Sequence, residues 1–154
     1  MTLIAYKDGM MAADGVVFTG DIMSRSTTQK ILRMPGVGLI GASGFSSDCW
    51  AVHQWFLAGR EAAIPFLQGT DREHEVDVLW ARPDGTLWRN SGGVAIFYPV
   101  PLTFAIGDRT AACVAETAMR LGKSAEEAVH IACEMCAAIR GPVQVERLLT
   151  SPCA

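Results

Sequence analysis

The sequence predicts an α+β domain in which antiparallel sheets and helices pack in layers. Three observations carry this. The periodicities run strands, helix, strands, helix pair, strand, and not as the alternating βαβ of a parallel sheet. Short apolar runs are separated by tight turn signals: Asp8-Gly9, Pro35-Gly36 and Pro83-Asp84-Gly85. Of the 154 residues 50% are hydrophobic and 19% charged, enough apolar mass for a core and too much for a disordered chain.

The elements follow in order. Thr2 to Lys7 reads as a strand, Asp8-Gly9 as a hairpin turn whose central positions both accept positive φ, and Met10 to Asp14 as the returning strand. Thr28 to Met34 and Gly38 to Ala42 are strands about Pro35-Gly36. Asp48 to Leu57 changes period: Trp50, Val52 or His53, Phe56 and Leu57 share a helical face. Ser46, Ser47 and Asp48 are its N-cap candidates, and Gly59 is its stop. A second short helical piece is closed by Pro65 and Gly69-Thr70-Asp71. Val76 to Ala81 and Thr86 to Arg89 form a hairpin. Val94 to Phe97 and Leu102 to Ile106 are further strands, with Tyr98 to Pro101 as an interruption. Arg109 to Leu121 is an Ala-rich helix ending at Gly122. Ser124-Ala-Glu-Glu127 is a capping box that opens a helix from Ala125 to Arg140, stopped by Gly141-Pro142. Val143 to Leu149 is a final strand. No repeat or linker divides the chain, so residues 1–154 read as one domain.

Composition excludes several classes. Net charge is −3, without basic clusters, which argues against nucleic acid or an anionic membrane as partner. The longest apolar stretch, Gly92 to Ile106, is broken by Pro99 and Pro101 and is shorter than the roughly 20 residues a spanning helix needs. Lys7-Asp8-Gly9 arrives before any signal-like apolar region develops. Cysteines 49, 113, 133, 136 and 153 are odd in number and unevenly spaced, which points to free thiols in a reducing, cytoplasmic compartment.

The N-terminus is the most informative place for chemistry, although many chains begin Met-Thr and the pair alone is not specific. Methionine before a small residue such as Thr2 is usually trimmed. Thr2 would then hold a hydroxyl and a free α-amine on one residue, nucleophile and base together, the amine having an ordinary pKa of roughly 7.7–8.0. Other candidates are weaker. Cys133-x-x-Cys136 has no second pair and lies on an apolar helix, where packing is the expected role. His53, His74 and His130 share no ligand spacing, and Gly36 and Gly38 belong to a turn with no Gly-Lys-Ser/Thr after it. Trp50, Trp55, Trp80 and Trp88 read as core or subunit-contact aromatics. No metal and no cofactor is expected.

Thr2-Leu-Ile-Ala-Tyr-Lys-Asp-Gly-Met-Met-Ala-Ala-Asp14 resembles the opening of proteasome β-type subunits and of the HslV peptidase, closest to short proteasome-like proteins of bacteria and phages. Sixteen residues after Asp14, Gln29-Lys30-Ile31 resembles the family's lysine segment, with Gly20 between. Gly41-Ala-Ser-Gly44-Phe-Ser-Ser-Asp48 resembles the Gly-rich segment before its first helix. Phe104-Ala-Ile-Gly107, Ser124-Ala-Glu-Glu-Ala128 and Gly141-Pro-Val-Gln144-Val resemble later landmarks, so the likeness runs in order along nearly the whole chain. The first hairpin is about two residues shorter in each arm than in the family, a symmetric change that keeps strand pairing and lets Thr2 and Asp14 meet.

The resemblance implies a four-layer αββα sandwich of the N-terminal nucleophile hydrolase type. It implies a threonine peptidase acting on unfolded polypeptide in a homo-oligomeric ring or other assembly, possible ATP-dependent unfoldase included. It implies Thr2 as nucleophile, Lys30 held by Asp14 beside its hydroxyl, and the Gly44 N–H as oxyanion donor. Three departures stand out. Asp108 replaces the family's Ser after Ala-Ile-Gly; it can accept from the Thr2 ammonium or cap the following helix. Cys136 and Ile139 fall where many proteasome subunits carry Asp and Ser, and Phe18 falls where the family has a Thr along the substrate strand. Two alternatives stay open: a catalytically inactive scaffold or interaction protein, and an amidohydrolase of the same fold that does not cut peptides.

Overall fold

A computed structural model of the chain describes residues 1–19, 22–25, 29–60, 76–90 and 96–149. The strands are β1 (Leu3–Lys7), β2 (Met10–Ala13), β3 (Val16–Thr19), β4 (Ile22–Arg25), β5 (Ile31–Met34), β6 (Gly38–Ser43), β7 (Asp77–Ala81), β8 (Leu87–Asn90), β9 (Phe97–Val100), β10 (Thr103–Gly107) and β11 (Gln144–Arg147). The helices among the described residues are α1 (Ser46–Leu57), α2 (Arg109–Arg120) and α3 (Ala125–Met135). Two antiparallel sheets dominate, in the orders β10-β1-β2-β11 and β5-β6-β7-β8-β9, and β3 pairs with β4 as a separate hairpin.

The layers follow from the alternation of side chains along each strand. On β1, Leu3 and Ala5 turn toward a core shared with Ala111, Ala115, Met119, Ala128, Val129 and Ala132 of α2 and α3. Ile4 and Tyr6 turn the other way, into a core with Ile31, Leu39, Leu79 and Leu87 of the second sheet. On β6, Leu39 meets the first sheet while Ile40 and Ala42 meet Val52 and Phe56 of α1. The result is a four-layer αββα sandwich. Its inner strands are covered on both faces, which is why Leu-Ile-Ala-Tyr reads as a continuous apolar run and not as an alternation. Gly41 allows the sheets their closest approach: a Cβ there would lie 2.8 Å from Ile4 Cγ2 and 3.0 Å from the Met11 sulfur.

The Asp8-Gly9 turn forms as expected, with φ of 49° and 78°, and sets the register from Lys7↔Met10 to Ile4↔Ala13. The capping box of α3 is present, Ser124 accepting from Glu127 N–H and Glu127 from Ser124 N–H. Other expectations are corrected. Tyr98 to Pro101 is no interruption: Phe97–Val100 is a strand at a sheet edge, where Pro99 opposite Trp88 needs no inward N–H. The cap of α1 is Phe45, with no side-chain hydrogen bond, and not Ser46, Ser47 or Asp48. Helix α3 ends at Met135 and not at Arg140, because Cys136 is extended and the Arg140 guanidinium donates to the Cys136 and Ile139 carbonyls. The β3–β4 hairpin went unpredicted. The helical piece before Pro65 and Gly69-Thr70-Asp71, together with Gly20, His74 and Cys153, lies outside the described residues. No helix among the described residues is long and apolar enough to cross a membrane.

Candidate active site

The open end of the β1–β2 hairpin brings together two buried charged residues, Asp14 and Lys30. Asp14 follows β2 directly and is 1% exposed. Its Oδ1 accepts from the Leu3 N–H at 2.8 Å and from Lys30 Nζ at 2.8 Å. Its own N–H donates to the Leu3 carbonyl at 3.2 Å. Lys30, 7% exposed at the start of β5, also donates to the Val16 carbonyl at 2.6 Å. A lysine this buried needs a counter-charge and hydrogen bonds together, and here it has both. Asp14 and Lys30 are therefore a buried ion pair, not a solvated one on strand ends. An ammonium carries three N–H donors, and these described partners take two.

Thr2 sits one residue before the amide that Asp14 holds, and it is half-buried, with Met1 exposed. Its carbonyl accepts from the Asp108 N–H at 2.8 Å. That bond depends on Gly107, whose φ is +109° and where a Cβ would lie 1.9 Å from the Thr2 oxygen. The same absent Cβ would stand 3.3 Å from Ser43 Oγ, so the end of β6 reaches this corner. Gly44 comes next, exposed, with φ +152°. Thus Thr2, Asp14, Lys30, Ser43 and Gly107 converge from β1, the end of β2, β5, β6 and β10, with Gly44 one residue beyond. The Asp108 carboxylate does something else: it caps α2, accepting from the Ala111 N–H at 2.9 Å.

The surrounding thiols are neutral. Burial, with Asp48 adding to it, pushes the Cys49 pKa up to about 12, and burial with Asp14 pushes Cys133 up to about 11. Cys136 is buried beyond the end of α3, and the described cysteines 49, 113, 133 and 136 are free thiols. His53 is buried on α1 with an unpartnered Nε2, and its pKa is lowered by burial. His130 is exposed. Among the described residues no three His, Cys, Asp or Glu side chains are placed to hold a metal.

Two residues that shape this corner, Gly107 and Gln144, stand in the sequence only as parts of motifs. The Gln144 side-chain amide bonds the backbone of Lys30 and Ile31, more than 100 positions away, and no local signal announces such a contact.

Two antiparallel sheets between helix layers are the fold this chain shares with solved HslV and proteasome-like structures. Among solved structures, the chain resembles "Thiobacillus denitrificans BPH in complex with Epoxomicin" at a TM-score of 0.71 and 20% identity, over 99% of this chain and 100% of that one. It resembles eukaryotic HslV from Trypanosoma brucei at a TM-score of 0.69 and 18% identity, over 95% of this chain and 98% of that one. Thiobacillus denitrificans BPH in a further structure gives 0.63 and 18%, over 99% and 100%. No protein-family model and no curated protein sequence matches the chain.

Proposed function

We propose that this chain is a threonine peptidase of the HslV and proteasome type, one domain over residues 1–154. In this reading it hydrolyses unfolded polypeptide in a cytoplasmic homo-oligomer to which an ATP-dependent unfoldase can deliver substrate. The observation that carries the reading is the buried Asp14–Lys30 pair, whose carboxylate also holds the amide next to Thr2. Once Met1 is removed, the Thr2 hydroxyl adds to a peptide carbonyl and its proton passes to the Thr2 amine. Lys30 stabilises the developing alkoxide, and the Gly44 N–H receives the oxyanion, a donor worth roughly 3–4 kcal/mol in such sites. The C–N bond then breaks, the leaving amine takes the proton, and water hydrolyses the ester to release the acid and restore Thr2. Asp108 has its carboxylate on α2, so its part here is its backbone N–H, which fixes the Thr2 carbonyl.

A second reading, an inactive scaffold, is favoured by that same engagement of Asp108, which keeps the carboxylate on the helix it caps. One experiment separates the two. Intact mass and N-terminal peptide sequencing of the untagged, natively expressed protein report whether Met1 is lost. Treatment with a peptide epoxyketone follows: its ketone and epoxide together capture a hydroxyl and an amine of one residue, with nothing leaving. Stoichiometric labelling at Thr2, abolished along with peptide hydrolysis in Thr2→Ala, is the expected result. Retained Met1, or a Met1-free protein that neither labels nor cuts unstructured peptides, refutes the peptidase.

A further inference from the structure

We propose that Gln144 is a positioning residue for the Asp14–Lys30 pair, acting through the backbone of Lys30; the proposal rests on the peptidase reading above. Strand β5 lies at the edge of its sheet. On one side it pairs with β6, and the Lys30 carbonyl accepts from the Ala42 N–H at 3.2 Å. On the other side, among the described residues, no strand of its own sheet is present, and the Gln144 side chain takes that place. Its Oε1 accepts from the Lys30 N–H at 2.9 Å and the Ile31 N–H at 3.3 Å, and its Nε2 donates to the Ile31 carbonyl at 3.1 Å. A primary amide has an acceptor and donors in the same relation as a peptide group, so it serves as one residue of a missing strand.

Gln144 belongs to the other sheet. Its backbone is in register with Ala13, the residue before Asp14. The segment leading to it is tied down beside Asp14 as well: the Gly15 N–H donates to the Arg140 carbonyl at 2.8 Å, and a Cβ on Gly15 would lie 2.1 Å from the Pro142 oxygen. One residue therefore sets where both members of the pair start. Its main chain fixes the Asp14 strand and its side chain fixes the Lys30 strand. The lysine tip is held by Asp14 and the Val16 carbonyl at the end of a four-carbon stem, so a shift of the Lys30 backbone strains those bonds and moves the ammonium. Two residues along, Glu146 meets Arg33 in a more exposed ion pair, a contact of the same two strands without the same hold on Lys30.

The test is the rate of Thr2 labelling by the peptide epoxyketone as a function of pH, on Met1-free protein. Other titratable or charged groups packed around this region are Asp48 on α1, Arg140, the more exposed Arg33–Glu146 pair, and the neutral thiols of Cys49 and Cys133. Gln144→Met keeps the side-chain length and removes all three hydrogen bonds. Labelling is expected to slow on the order of 10²-fold, the cost of misplacing a catalytic group by about 1 Å. The pH of half-maximal rate is expected to rise, because the Thr2 ammonium, whose deprotonation frees the base, loses the nearby cation that disfavours it. Gln144→Glu keeps the acceptor to the Lys30 N–H and is expected to recover part of the rate while its added carboxylate leaves the midpoint raised, and Glu146→Gln, in the more exposed pair, changes neither. If Gln144→Met does not fold, Gln144→Asn, one methylene shorter, is expected to shift the profile in the same direction. Slower labelling with an unmoved pH midpoint would reduce Gln144 to a structural residue, and unchanged labelling would remove it altogether; both overturn the proposal while leaving the peptidase standing. A Met1-free wild type that does not label overturns both readings.

Discussion

Gly107→Ala perturbs the Thr2 corner by a single methyl group, without replacing any polar side chain there, although that group also comes 3.3 Å from Ser43 Oγ. The new Cβ would stand 1.9 Å from the Thr2 carbonyl oxygen, where ordinary contact begins near 3.4 Å. The start of β1 must then retreat by roughly 1.5 Å to regain a normal carbon–oxygen separation. That movement breaks the 2.8 Å bond from the Asp108 N–H to the Thr2 carbonyl, a loss of about 0.5–1.5 kcal/mol. The backbone φ of +109° adds strain of about 1–3 kcal/mol for a residue with a Cβ. Together these come to about 1.5–4.5 kcal/mol, which for a chain of this size lowers the melting temperature by roughly 3–18 °C. Gly85→Ala is the control. Its φ is +83° but nothing lies within 4 Å of its Cβ position, so it carries the conformational strain, about 1–2 kcal/mol, and no clash. Calorimetry should show both variants destabilised, Gly107→Ala more so. Covalent labelling at Thr2, measured well below either transition, should fall on the order of 10²-fold in Gly107→Ala alone. A Gly107→Ala protein with the stability and labelling rate of Gly85→Ala would refute the claim that this close approach positions Thr2.

Other expectations concern the buried charges and thiols. Asp14→Asn leaves the Lys30 ammonium without its counter-charge at 7% exposure and should cost about 3–5 kcal/mol in urea unfolding. Adding Lys30→Met should recover a large part, and strictly additive losses would deny the coupling. His53 is held neutral in the fold, its pKa below the ordinary 6.5 because of burial. The unfolded chain therefore binds the proton more readily, so this contribution is complete above about pH 6.5 and is lost as pH falls from there through the folded-state pKa. His53→Leu should flatten that part of the stability profile, and an unchanged slope between pH 6.5 and 5 would contradict the assignment. At pH 8 in the native state, iodoacetamide should modify exposed Cys113 well before Cys49 and Cys133, whose thiolates are scarce at pKa values of about 12 and 11. Peptide mapping against time checks this, and equal rates would rule it out.

Local signals served the fold well where the chain's own neighbours decide the outcome. The Asp8-Gly9 turn, the capping box at Ser124 and the stop at Gly122 involve groups within a few residues of each other, and each is found where its residues place it. Signals failed where a distant contact overrides them. Pro99 reads as a strand breaker until it is known to lie at an edge opposite Trp88. The apolar spacing past Met135 reads as more helix, but Arg140 folds back to bond the carbonyls there. Asp108 could be read two ways from its neighbours, and the structure puts its carboxylate on the Ala111 N–H.

By itself the sequence determined the α+β class of fold and the register of the first hairpin, while Thr2, Asp14, Lys30 and Gly44, around which the proposed chemistry is built, rest on its resemblance to proteasome-type subunits. The class and the register are local information, since turn chemistry and hydrophobic periodicity are carried by nearby residues. Only the tertiary structure decided that Asp14 and Lys30 are buried against each other at 2.8 Å, that Gly107 must lack a side chain to let Thr2 in, and that Gln144 completes the edge of β5. Each of these joins residues from different strands or different sheets. A sheet contact depends on which strands the fold lays side by side, and that is settled by burial of both faces of β1 and β6 at once, not by any one segment of the chain.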